Sequence, residues 1–449
     1  MTTDLCGCDC SGPHLDVHMP AGATPGPGVR GEKQKAVVSS TARVCKGEFV
    51  QRVLEYVSVG DKLRWGLEDI HILDAVELSQ ERVGVVFAQH GQTKFKLLAL
   101  DGEALALGNT LVLVEDEALE TAALLELRDG RALVAYNQEA AGVVAVISMD
   151  GRRAVLDYTD MWGEGDPENI CVCRINGSKA LIGCMQLHYT AQGGHIGEAW
   201  VRPVTVGETK LILGTGIRVD GNNDTDVYTG GWSLVEVTED TAVLVYPQGL
   251  DKPVGFAVID VADDVPAVRL ISSGKYAASL PTIQAVALDD GRWAMVYGIG
   301  WLSPDKQVVK STLALEVWGL TRYAAELIWY GCEDTRYASA IGGVSAVSHS
   351  MGAAITYTGE YVARVIHLGV MGTPYAGPGV VLGSHGGFCR VVPVSLTRAL
   401  VVSQADGNGY VGIMETAERV IPSDSMIHGV AITGGDPGQE IVIKQPFES

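Results

Sequence analysis

The chain is predicted to be an all-β repeat protein, a seven-bladed β-propeller with an extended N-terminal arm and a C-terminal β-hairpin. Three observations lead to this. Short apolar or β-branched runs alternate with Gly, Asp and Asn turns, and no long segment keeps a helical period with caps at both ends. One five-residue, mostly apolar strand recurs seven times. At 449 residues and 47% hydrophobic content, the chain exceeds an ordinary single domain. A closed ring of repeats escapes that limit, because each unit buries its apolar faces against its neighbours.

The recurring runs are Val83-Gly-Val-Val-Phe87, Ala132-Leu-Val-Ala-Tyr136, Ala180-Leu-Ile-Gly-Cys184, Ala242-Val-Leu-Val-Tyr246, Trp293-Ala-Met-Val-Tyr297, Ala353-Ala-Ile-Thr-Tyr357 and Ala399-Leu-Val-Val-Ser403. Their last residues lie 46 to 62 positions apart. The period of a four-stranded propeller blade is roughly 40 to 50 residues, and loop insertions account for the two long intervals. Being apolar at consecutive positions, each run is expected to be packed on both faces between adjacent blades. Arg128-Asp-Gly130 and Asp289-Asp-Gly291 precede two of the runs, and Asp101-Gly102 and Asp150-Gly151 stand where third-to-fourth strand hairpins are expected. Such turns supply residues tolerant of positive φ. Ring closure removes the long unpaired edges that would make separate sheets aggregate. The competing arrangements are a six-bladed ring with a separate β-module and two stacked sandwiches.

Residues 1–41 read as an arm, since Gly22-Ala-Thr-Pro-Gly-Pro-Gly-Val-Arg-Gly31 is too dense in Pro and Gly for a helix or central strand. Residues 42–75 read as a linker or closing strands, with Phe49 to Tyr56 and Ile70-His-Ile-Leu73 as candidates for latching the last blade to the first. Residues 76–425 are assigned to the propeller. Residues 426–449 read as a terminal hairpin and tail around Gly434-Gly-Asp-Pro-Gly438.

That hairpin, Gly429-Val-Ala431 followed by a Gly-rich turn and Gly438-Gln-Glu-Ile-Val-Ile443, resembles the closing hairpin of tailed-bacteriophage fibre, spike and decoration proteins. The resemblance covers about twenty residues of the chain. It implies a structural virion component, of collar, spike, fibre or decoration type, that displays a rigid propeller and is anchored to other virion proteins by its N-terminal arm. A homo-oligomer is expected.

The formal net charge of −21, from 54 acidic and 33 basic residues, opposes binding to phosphate backbones and anionic lipid. Nucleic acid and membrane are therefore not expected partners. Met1 to Cys10 carries neither the basic region nor the apolar core of a secretory signal. Synthesis in the host cytoplasm, followed by incorporation into the virion, is the expectation.

Nine cysteines are many for a reduced compartment, and the odd total leaves at least one for a partner chain or a free thiol. Cys6-Gly-Cys8-Asp-Cys10 lies on the arm, where thiols can reach neighbouring chains. Inter-subunit disulfides, formed after release from the reducing host, are the preferred reading. Zinc held with His14 and His18 is the rival, although C-x-C is tighter than usual zinc spacing. Cys45 is a further cross-link candidate. Cys171 and Cys173 share one face of a strand, with Cys184 on the next strand; one bridged pair is one reading, and buried thiols serving as small hydrophobes is the other. Cys184 is assigned to the core.

Asp220-Gly-Asn222-Asn-Asp224-Thr-Asp226 alternates oxygen ligands as calcium loops do, but its twelfth position is Gly231 rather than a bidentate Glu. A solvated acidic loop is favoured. Trp162 with Asp160, Asp166 and Glu168 could offer an aromatic platform and carboxylates to a host surface glycan. The loops bearing Trp162, Asp166, Glu168, Asp220 and Asp224 thus define the second functional reading, a carbohydrate-binding or glycan-cleaving propeller for host recognition. The chain carries no nucleophile elbow, H-E-x-x-H helix, P-loop or repeated Ser-x-Asp-x-Gly-x-x-Trp box. No enzyme activity, catalytic residue or cofactor is assigned.

Overall fold

In the computed structural model the described residues lie within 33–444, with short interruptions that include residues 45, 163–165, 190–194, 221–224, 303–307 and 423–428. Within 299–313 and 331–360 only backbone is described. The described residues form strands and turns, with no helix among them.

The strands gather into seven antiparallel sheets among the described residues. The first contains His71–Leu78, Arg82–Gln89, Gln92–Asp101 and Ala104–Val114, paired in that order. The following sheets begin with Ala122–Glu126, Asp166–Asn176, Ser233–Thr238, Ile283–Ala287 and Ala338–Val347, and the last begins with Cys389–Pro393. Each of these first strands is an edge of its sheet, and each touches the first strand of the next sheet. Cys389–Pro393 in turn touches His71–Leu78. Sheets whose inner edges meet in cyclic order around one axis form a β-propeller.

The apolar runs follow from this geometry. Each falls in the second strand of its own sheet, within Arg82–Gln89, Arg131–Gln138, Lys179–Tyr189, Thr241–Tyr246, Arg292–Leu302, Ser350–Tyr357 and Arg398–Ala405. Successive side chains of a strand point to opposite faces, and here both faces are interfaces. Ala132, Val134 and Tyr136 pack with Phe95 and Leu97 of the first sheet, whereas Leu133 and Ala135 pack with Ile182 and Cys184 of the third. In the seam between the fourth and fifth sheets, Phe256 meets Trp318 edge to face, with ring centroids 4.8 Å apart. Glu316 is fully buried there. Its carboxylate accepts the Lys275 N–H at 2.7 Å, the Trp318 Nε1–H at 2.9 Å and the Tyr297 hydroxyl, so a charge excluded from water is met by three donors. The Asp-Gly turns take the expected left-handed backbone, with φ of 65° at Gly102, 70° at Gly130, 57° at Gly151 and 73° at Gly291.

The last sheet joins the two ends of the chain. Its order is Lys33–Val37, Glu440–Lys444, Gly429–Ala431, Phe49–Val59, Asn408–Pro422, Arg398–Ala405 and Cys389–Pro393. The N-terminal strand Phe49–Val59 pairs with Asn408–Pro422 from Val50 opposite Pro422 to Val59 opposite Met414. Two sequence readings are corrected. Lys33–Val37, assigned to the free arm, pairs along its length with Glu440–Lys444. The terminal hairpin forms, with Val430 opposite Lys444, and it extends the last sheet. Ile70 to Leu73 supply no latch, since His71 opens the inner strand of the first sheet. Beyond the ring, Val38, Val44, Val50, Val420, Ala431, Ile441 and Ile443 bury a small core that fastens the extension to the rim.

Trp293 is fully buried in the seam between the fourth and fifth sheets. Trp293→Ala is expected to lower stability by about 3–5 kcal/mol through lost burial and a residual cavity. Met161→Ala, at a side chain 59% exposed on an outer strand, is expected to stay within about 0.5 kcal/mol of the parent. Urea denaturation of both variants checks the contrast.

Candidate functional site

The connections that enter each inner strand and the hairpins between second and third strands emerge at one end of the ring. On the first three sheets they form a groove. Two of its hairpins are two-residue turns with both residues at positive φ: His90 and Gly91 at 51° and 74°, and Glu139 and Ala140 at 51° and 62°. This backbone matches the twist of the flanking strands, although Glu139 and Ala140 adopt it against the usual preference of residues with a Cβ.

A ridge of residues 115–121 runs between these turns. Leu119 is 4% exposed and anchors the ridge in the seam between the first and second sheets. The buried Thr93 hydroxyl receives the Leu119 N–H at 3.0 Å and donates to the Glu117 carbonyl at 3.1 Å. On one side of the ridge lies a hollow of about 510 Å³ lined by Asp69, His71, Gln89, His90 and Glu120. On the other lies one of about 480 Å³ lined by Glu117, Glu120, Asn137, Glu139, Glu168 and Asn169. Ala118, Leu119 and Glu120 line both, so the hollows are two halves of one groove.

Neither lining includes a Lys or Arg. Asp69 accepts the His90 N–H at 3.3 Å and stands 3.7 Å from its Nδ1. Gln89 donates to the Leu67 carbonyl at 2.7 Å, which fixes the entry into the first inner strand. Asn137 donates through Nδ2 to Asp166 at 2.7 Å. The buried Asn137 Oδ1 and Asn169 Nδ2 find no hydrogen-bond partner among the described protein groups. Such a surface offers carboxylate acceptors and amides to hydroxyls or cations and repels anions. Among the described residues no group of three or more His, Cys, Asp and Glu side chains is arranged to hold a metal ion.

Of the residues singled out from sequence, Glu168 lines the groove and Asp166 stands behind it, bonded to Asn137. Trp162 does not join them. It is 4% exposed in the seam between the second and third sheets, with its indole lying over Gly142, where an added Cβ would come within 1.8 Å of the ring. The aromatic platform is therefore withdrawn: this ring is core. Asp220 is 1% exposed, paired with Arg218 Nε at 2.5 Å, and accepts the Ala199 N–H at 3.1 Å. Arg218 also pairs with Glu198. A carboxylate committed to a guanidinium and a backbone amide is a structural anchor, which corrects for Asp220 both the favoured reading of a solvated acidic loop and the weaker one of a calcium ligand. Asn222 and Asp224 lie outside the described residues, and Asp226 is described as backbone paired with Ile196.

Cys171, Cys173, Cys184 and Cys389 are free and buried, so a bridge between Cys171 and Cys173 or from either to Cys184 is absent. Cys171 and Cys173 face the seam with the fourth sheet, while Cys184 faces the second. Burial raises all four thiols above the usual range, Cys184 and Cys389 to about 12. Cys6, Cys8, Cys10 and Cys45 lie outside the described residues. The groove residues that sequence reasoning missed are chiefly Asp69, Glu117, Glu120, Asn137 and Glu139. The available signal was the acidic run Glu115-Asp-Glu117-Ala-Leu-Glu120 set between two strands.

No protein-family model matches the chain, and no curated protein matches it. Solved propeller structures do. The WD40 domain of Toxoplasma gondii coronin aligns over 87% of this chain and 90% of its own, with a TM-score of 0.50 and 11% identity. The polysaccharide lyase Uly1 aligns over 86% of this chain and 99% of its own, with a TM-score of 0.50 and 10% identity. Kuenenia stuttgartiensis hydrazine synthase aligns over 80% of this chain and 98% of its own, with a TM-score of 0.51 and 12% identity.

Iodoacetamide labelling followed by mass spectrometry is expected to leave Cys171, Cys173, Cys184 and Cys389 unmodified in the folded protein at pH 8 and to modify all four in denaturant. The thiolate is the reactive species, and burial suppresses both its formation and its access. These similarities to solved propellers concern the shape of the ring, and the groove chemistry rests on the residues of this chain.

Proposed function

We propose that the chain is a seven-bladed, non-enzymatic recognition propeller, displayed on a tailed-phage particle by its N-terminal arm and binding a neutral, polyhydroxylated glycan in the groove beside the 115–121 ridge. The observation that carries this reading is the convergence of Glu117, Glu120, Glu139 and Glu168 with Asn137 and Asn169 around one hollow, with Glu120 on the wall it shares with the other. Sugar hydroxyls donate well to carboxylates, and amides complete such contacts as donor and acceptor. Acidic glycans and phosphates are disfavoured by the same charges. The seven-bladed reading is supported by the seven sheets among the described residues and by the cyclic contacts of their inner strands.

Display is supported by the position of the chain ends. Lys33 and Lys444 are paired in one sheet, so both terminal segments depart from one part of the rim. A tether there leaves the groove on the first three sheets open to a ligand. The resemblance of the closing hairpin to those of phage fibre and spike proteins supports a virion as the assembly, and Cys6, Cys8 and Cys10 supply cross-links on the arm.

A glycan array probed with the intact protein is expected to show binding to neutral glycans. Glu120→Gln and Glu168→Gln are each expected to weaken it about tenfold, or about 1.4 kcal/mol. Absence of binding to any neutral glycan, or variants that bind as the parent does, would overturn the recognition role. On particles, a non-reducing gel is expected to show multimers of the chain that collapse to monomer with reductant; monomer under both conditions would remove the covalent anchor.

A further inference from the structure

The wall between the two hollows of the groove is low. Ala118, Leu119 and Glu120 form it, and Leu119 is buried, so what the wall presents to a ligand is the Glu120 carboxylate and the methyl of the exposed Ala118. The Thr93 hydroxyl holds the backbone on both sides of Ala118, through the Glu117 carbonyl at 3.1 Å and the Leu119 N–H at 3.0 Å. The crossing point is therefore fixed as well as small, and its methyl suits the CH face of a sugar ring.

The chemistry on the two sides of Ala118 differs. Toward the second and third sheets the lining is carboxylates and amides, from Glu139, Glu168, Asn137 and Asn169. Toward the first sheet it holds two exposed imidazoles, those of His71 and His90. Asp69 fixes the second of them: it accepts the His90 N–H at 3.3 Å and stands 3.7 Å from its Nδ1. A carboxylate beside Nδ1 favours the proton there and leaves Nε2 as an acceptor for a ligand hydroxyl. The ring faces of the two histidines also supply flat surface in the groove, which the buried Trp162 does not.

At about 510 and 480 Å³, each hollow has the size of a small-molecule site. A single sugar in either one meets only part of these groups, whereas a chain that passes over Ala118 meets both sets. We infer that the ligand is a linear neutral oligosaccharide of at least two sugars that crosses the ridge at Ala118, one end among the carboxylates and amides and the other beside the imidazoles. This inference rests on the reading of the groove as a glycan site and adds the shape and minimum length of the ligand. Joining two weakly held sugars makes the second contact intramolecular, so affinity rises steeply with chain length until both hollows are filled.

Titration calorimetry of the full-length protein tests the length requirement, with neutral linear oligomers of glucose, mannose and galactose as probes. In at least one series the tetrasaccharide is expected to bind about tenfold or more tighter than the single sugar. His90→Asn and Glu168→Gln are each expected to weaken the tetrasaccharide about tenfold, while at most one of them alters the single sugar, because a single sugar occupies one hollow. His90→Asn places Asn before Gly91, a pair this turn favours, so the hairpin is retained. Ala118→Leu, which raises the crossing, is expected to weaken the tetrasaccharide and leave the single sugar unchanged. A single sugar that binds as tightly as the tetrasaccharide, or a tetrasaccharide indifferent to either hollow's variant, would overturn the inference. Failure of all three series to bind sinks the linear chain even where the array reveals a branched neutral ligand, a result that leaves the recognition role standing; the absence of any neutral ligand removes both.

Discussion

The pairing of Phe49–Val59 with Asn408–Pro422 is the constraint on which the rest of the molecule depends. A ring of sheets whose inner strands touch only their neighbours stays closed only if its first and last members are held together, and here the two ends of the chain share one sheet. Side-chain packing alone could let the ring open at the junction of last and first sheets, where Val85 and Phe87 meet Leu400 and Val402. A hydrogen-bonded ladder resists that opening along its whole length. It also makes stability non-local, since partners more than 350 residues apart in sequence must meet before the ring is complete.

Closure explains why the second strands are apolar on both faces. A strand in an isolated sheet with one wet side alternates apolar and polar residues, whereas Ala132 to Tyr136 have no wet side because the neighbouring sheets flank both. Close approach then governs residue size. Trp162 covers Gly142 because no Cβ intervenes, and Phe95 and Leu124 approach Gly84 in the same way. The buried carboxylates Glu316 and Asp220 are each met by several donors.

The surface that remains for function is the end of the ring where connections can vary without disturbing the seams. Rigid second strands hold two tight hairpins in place, and Thr93 and Leu119 pin the ridge between them. This places carboxylates from three sheets around one groove. The linings there carry Asp69, Glu117, Glu120, Glu139 and Glu168 and no Lys or Arg, a local chemistry suited to hydroxyls and cations.

Patterns of nearest neighbours were legible in the sequence because they are written in consecutive residues. The seven apolar runs, the Asp-Gly turns and the terminal hairpin each depend on a few adjacent side chains, and each occupies the kind of local structure its residues favour. Asp166 and Glu168 stood out as carboxylates in a Gly-rich stretch read as a loop, whereas they open the inner strand Asp166–Asn176. What the sequence left open was decided by contacts between distant segments. Trp162 could serve as a platform by its sequence but lies over Gly142 in a seam, and Asp220, by its sequence one of a solvated acidic loop, is enclosed by Arg218 and the Ala199 amide. Asp69, Asn137 and Glu120 have no common pattern in the chain; they converge because successive sheets place equivalent loops at one end of the axis, a relation that arises only when the ring is closed.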